Sequence, residues 1–91
     1  MNDDKYIIAS MALDLKRVAL GFHNGSINTG RRFLEEALKR KSEINEKNIE
    51  SYLNNFLQKL PKLLDLKDNK RIAEDALMYS TIFQNYALYK K

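Results

Sequence analysis

Residues 6–22 read YIIASMALDLKRVALGF. Ile7, Ile8, Met11, Ala12, Leu15, Val18, Ala19 and Phe22 recur at three- and four-residue steps, which gathers them on one broad helical face. Tyr6, Leu13 and Leu20 recur at seven-residue steps and, at about 100° per residue, fall roughly opposite that face. One apolar stripe builds a core; a second needs a partner or stays in water. The stretch therefore predicts a helical fold and self-association together. Asp3 or Asp4 is expected as N-cap, with acidic charge at the positive end of the helix. After the stretch, His23-Asn24-Gly25-Ser26 ends the helix, with Asn24 or Gly25 taking the left-handed conformation.

Downstream the helical period persists and strand signals are almost absent. The first helix is expected over about 4–22 and a second over about 27–41, starting near Ser26 or Asn28. The second buries Ile27, Gly30, Phe33, Leu34, Ala37 and Leu38, and Glu35–Lys39 and Glu36–Arg40 are spaced as i,i+4 ion pairs. A third helix is expected over about 46–60, with Asn45 as N-cap and Ile44 and Ile49 as a hydrophobic staple. Ile49, Tyr52, Leu53, Phe56, Leu57 and Leu60 form its stripe. Pro61 stops it, and residues 61–68 (PKLLDLKD) read as an extra turn or an ordered connection. The fourth helix, over about 69–89, carries the seam Ile72, Ala76, Tyr79, Phe83 and Tyr86. Met78, Ile82 and Tyr89 lie beside that seam, and Leu77, Ala87 and Leu88 widen the arc. Phe56 and Phe83 are expected in one core between the third and fourth helices. Short connections favour antiparallel neighbours, so the expected fold is an all-α antiparallel four-helix bundle, up-down-up-down, in one domain over residues 1–91. It is expected to dimerise through Tyr6, Leu13, Leu20, Met78, Ile82 and Tyr89.

Composition bounds the function. The chain has 91 residues, is 44% hydrophobic and contains no cysteine, which fits one globular domain without disulfides or thiolate chemistry. No apolar run approaches the roughly 18–20 residues of a membrane span. Acidic Asp3 and Asp4 stand where a secretory signal would be basic, so the expected location is cytoplasmic. The net charge is +4 and the pI near 9.4, at the edge of what suggests nucleic acid.

In an up-down-up-down bundle the charge separates into poles. One end collects Arg31, Arg32, Lys59, Lys62, Lys67, Lys70 and Arg71 against Asp65 and Asp68. The other gathers Asp3, Asp4, Glu43, Glu46 and Glu50, diluted by Lys39, Arg40, Lys41, Lys90 and Lys91. Two helix N-termini join the basic end, so Arg31, Arg32, Lys67, Lys70 and Arg71 are the candidate anion or nucleic-acid site. Ordinary capping and solvated lysines account for the same residues without a ligand.

Catalytic signals are sparse. A di-metal carboxylate bundle needs paired Glu-x-x-His motifs, which His23 alone cannot supply, and no serine or threonine has a recognisable base beside it. No metal, cofactor or catalytic site is assigned. Arg17 and His23 form an Arg-x5-His pair whose spacing resembles that of HEPN-type ribonucleases, helical bundles that dimerise to pair two such motifs. The resemblance covers two residues of 91 and implies nuclease activity through that pair. It departs from the family in lying on the first helix and in placing Val18 where a polar residue usually follows the arginine. Five intervening residues also turn the two side chains roughly 120° apart. The leading expectation is a non-enzymatic, homodimeric interaction module that binds another macromolecule; nucleic-acid or phosphate binding at the basic pole comes second, and a HEPN-like ribonuclease third.

Overall fold

The structure, a computed structural model, describes residues 3–45, 47 and 49–89. Its helices are α1 (Asp3–His23), α2 (Ile27–Lys41), α3 (Ser51–Lys59) and α4 (Asn69–Tyr89), with a 3-10 helix (Leu60–Asp65) between the last two. Among the described residues there is no strand.

The direction of each helix follows from its contacts. Along α1 and α2, Gly21 abuts Gly30, Arg17 lies over the Phe33 ring, and Asp14 pairs with Arg40. Numbers rise on one helix as they fall on the other, so the pair is antiparallel. Ser80 on α4 donates to the Ala12 carbonyl, while Ala73 shares a cavity with Ala19, so α4 is also antiparallel to α1. Tyr52 and Phe56 of α3 meet Tyr86 and Tyr79 of α4 in reverse order. The result is an up-down-up-down four-helix bundle in which α1 packs against both α2 and α4.

The expected α1 stripe is the centre of the core. Ile8, Met11, Ala12, Leu15, Val18, Ala19 and Phe22 are buried, and they meet the α4 seam of Ile72, Ala76, Tyr79, Phe83 and Tyr86. Full burial of a large apolar side chain contributes about 1.5–3 kcal/mol each, so this seam holds the fold together. Phe83 is fully buried and stacks on Tyr79 at 6.2 Å, whereas Phe56 is half-buried and meets the same ring edge-on at 6.1 Å. The two phenylalanines therefore share Tyr79 as their common neighbour. Gly25, at φ +81°, is the residue that takes the left-handed turn after α1.

Three local expectations are corrected. Asp3 and Asp4 lie inside the first turn of α1, not before it, although acidic charge there still opposes the helix dipole. The α3 helix begins at Ser51 after an extended Glu50, so Asn45 is not its N-cap. Asn45 instead uses its Oδ1 to accept from the Lys47 amide at 3.1 Å, a local turn of the kind asparagine forms in competition with helix. Ile44 and Ile49 are nonetheless both buried, on either side of that turn. The end of α3 at Lys59 and the 3-10 turn that follows match the expected stop and extra turn, with Pro61 in the first turn of the 3-10 helix, where its missing amide is not needed. Finally, Glu36 does not hold Arg40, which reaches across to Asp14 at 2.8 Å, and Glu35 forms no ion pair with Lys39. Glu46, Lys90, Lys91 and the side chain of Asp3, assigned above to the acidic pole, lie outside the described residues.

Candidate interaction surfaces

A groove runs between α1 and α4. Its floor is built from small residues: Ala19 and Ala73 at one end, Ala9, Ala12 and Ala87 at the other. Small side chains let the two backbones approach, and Ser80 locks the approach through a buried 2.6 Å bond to Ala12. Leucines that cannot fit the floor stand along the rims. Leu13 and Leu20 are 55% and 52% exposed on α1, and Leu77 and Leu88 are 51% and 64% exposed on α4. Two adjoining cavities of about 270 and 200 Å³ lie between them, both bordered by Lys16.

The residues expected at an oligomer interface divide between two faces. Leu13 and Leu20 line the α1–α4 groove; Tyr6 is exposed on the same α1 stripe. Ile82 and Tyr89 open instead onto a cavity with Tyr52, Asn85 and Tyr86 beside α3, and Met78 is exposed outside the groove lining. Opposite Leu13 and Leu20 stand Leu77 and Leu88, each one position from Met78 and Tyr89 and so turned by about 100°. Sequence spacing contained this signal, since Leu77 and Leu88 extend the apolar arc; what it lacked was which side of the arc meets α1.

The basic end is present as topology but divided in detail. Arg31, Arg32, Lys67, Lys70 and Arg71 are all exposed. Consecutive residues on a helix point about 100° apart, so Arg31 and Arg32 diverge, as do Lys70 and Arg71. The start of α4 is also occupied: Asp68 accepts from the amides of Lys70 and Arg71 at 3.0 and 3.5 Å. Two of its first amides are thus used by the chain itself. The cations that do share a groove are Lys59, Lys62 and Arg71, together with Leu63, Leu66, Asp75 and Tyr79. Burial, then the nearby Asp75 charge, pushes the Tyr79 phenol above its usual range. Tyr86 is raised as well, by burial first and then by Tyr52 and Asp4.

Arg17 and His23 are not brought together. Arg17 lies over Phe33 at 5.3 Å, near Asp14 at 3.7 Å, in a cavity on the α2 side. His23 is exposed and borders the α1–α4 groove. Among the described residues no group of three acidic or histidine side chains is arranged to hold a metal, and no helix is long and apolar enough to cross a membrane. Comparison with known protein families, curated proteins and solved structures finds no match.

Proposed function

We propose that this chain is a small cytoplasmic interaction module, not an enzyme, that pairs with a second copy through the α1–α4 face and binds a further macromolecule. The observation that carries the reading is the row of half-exposed leucines on both rims of the alanine-floored groove. A contiguous apolar ridge-and-groove surface marks an interaction site more often than scattered exposed residues do. Two helices about 30 Å long, side by side, offer a face on the order of 600 Å² per copy, the lower range of a stable dimer interface.

Charge and register favour a second copy as the occupant. The chain as a whole carries +4 and repels itself, but this groove is bordered by one cation, Lys16, and one anion, Glu74. A twofold axis along the groove lays α1 of one copy over α4 of the other. Because Ser80 bonds to Ala12, Lys16 is level with Ala76, four residues on along α1 and four back along α4. In the twofold arrangement Lys16 therefore comes within a turn of Glu74 of the second copy, and Leu77 falls between Leu13 and Leu20. Every such contact occurs twice, as an isologous interface requires.

Light scattering tests this directly. The wild-type protein is expected at twice the chain mass, and Leu13→Glu or Leu88→Glu at the monomer mass with an unchanged helical circular dichroism spectrum. A wild-type chain that stays monomeric at high concentration defeats the reading. Anion or nucleic-acid binding at the basic end is the second reading, supported by the exposed Arg31, Arg32, Lys67, Lys70 and Arg71 that the topology gathers at one end of the bundle. Its signature is binding that weakens steeply with salt.

A further inference from the structure

The groove between the 3-10 helix and α4 combines an apolar floor with a cationic rim, and its parts are held in place. Leu63 is buried, Leu66 half-buried, and the Tyr79 ring is packed between Phe56 and Phe83. Tyr79 is buried and lines the groove. Around this floor stand Lys59, Lys62 and Arg71, against the single carboxylate of Asp75. Two of the three cations are positioned. The Lys59 ammonium lies 5.7 Å from the centre of the Phe56 ring, and Asp75 grips Arg71 by Nε alone, at 3.1 and 3.2 Å. That grip leaves the terminal amino groups of Arg71 available as donors.

We propose that this groove binds an acidic peptide segment of a partner protein, with one aliphatic side chain seated on Leu63, Leu66 and Tyr79 and flanking carboxylates on Lys59, Lys62 and Arg71. The cavity of about 220 Å³ has room for a medium-sized aliphatic side chain. Net positive charge on the rim complements carboxylates, and the apolar floor selects among anions. A phosphate diester gains nothing from leucine and would give up hydration to sit there, whereas an apolar residue between two acids uses floor and rim together. Burial keeps the Tyr79 hydroxyl protonated, so it serves the ligand as a donor. The site lies apart from the α1–α4 face and does not depend on self-association.

The probe is a fluorescein-labelled peptide containing Asp-Glu-Leu-Glu-Asp, followed by fluorescence anisotropy on the full chain. Saturable binding is expected, weakened roughly tenfold by Lys62→Glu or by Arg71→Gln, since rim charges act on encounter and on the bound pair. A peptide with serine in place of the leucine is expected to bind more weakly than the parent, and inorganic phosphate or a thymidine oligonucleotide to compete poorly. Leu13→Glu, which tests the dimer, should leave peptide binding unchanged. Both rim variants are at exposed positions, and circular dichroism confirms that each is folded. No saturable binding, equal binding of the serine peptide, indifference to both rim substitutions, or displacement by the oligonucleotide in preference to unlabelled peptide would each overturn the proposal.

Discussion

Against α2, helix α1 presents Gly21, and a methyl group added there would lie 2.7 Å from the Gly30 Cα. Against α4 it presents Ala9, Ala12 and Ala19, with open cavities of about 270 and 200 Å³ along the seam. The glycine contact brings two backbones together, and the cavity of about 250 Å³ beside it is lined by Arg17, Asn24, Ser26 and Thr29 along with Leu20, Gly21 and Phe33. Along this contact Arg17 lies over Phe33 and Arg40 holds the buried carboxylate of Asp14. The alanine contact is edged by Leu13, Leu20, Leu77 and Leu88, each more than half exposed. One side of α1 is thus flanked largely by polar and charged groups, and the other by exposed leucines.

The largest effect that can break this comparison lies in the core behind both sides. Phe83→Ala removes a fully buried ring and should cost about 3–5 kcal/mol in chemical denaturation, a large share of what a domain this size has. Phe56→Ala removes a half-buried ring over the same Tyr79 and should cost only about 1–2 kcal/mol. Equal losses would mean that α3 is as integral to the core as α1 and α4.

A matched pair of enlargements sharpens the contrast. Gly21→Ala must push against the Gly30 backbone, an overpacking cost of about 1–3 kcal/mol set against a gain of up to about 1 kcal/mol in helix propensity. Thermal unfolding should fall. Ala9→Leu, on the α4 side, extends into an open groove and should change stability by no more than about 0.5 kcal/mol. If Ala9→Leu destabilises as much as Gly21→Ala, the α4 side is as tightly closed as the α2 side.

These two sides were unequally legible in the sequence. The α1 stripe and the α4 seam follow from periodicity, because the residues that repeat are the ones the helices bury. Asp14 could be seen as the one acid inside the α1 stripe, three residues from Met11 and four from Val18, but its partner Arg40 is 26 positions away and no local rule reaches it. The start of α3 was hidden for a different reason: Asn45 has the chemistry of an N-cap and spends it on a turn that precedes the helix. Leu77 and Leu88 were visible as apolar, yet only the packing of α1 against α4 decides that they, and not Met78 and Tyr89, face Leu13 and Leu20. The groove of Lys59, Lys62 and Arg71 depends on a 3-10 helix folding back beside α4, which Pro61 and the leucines around it hint at without specifying.

The smallest effect is also the most specific to a second copy. Neither Lys16 nor Glu74 has an ion-pair partner among the described residues, although both border the same groove. The proposed twofold arrangement would give each a partner across the interface, and exposed pairs of this kind contribute about 0.2–1 kcal/mol apiece. Lys16→Glu should therefore weaken the dimer modestly, and the loss should shrink at high salt because screening removes the new repulsion. Glu74→Lys alone should do the same. The double substitution restores opposite charges in swapped positions, so sedimentation equilibrium should return its dissociation constant close to that of the wild type. If the two losses add instead of cancelling, Lys16 and Glu74 do not meet, and the copies pair in some register other than the one set by the Ala12–Ser80 level.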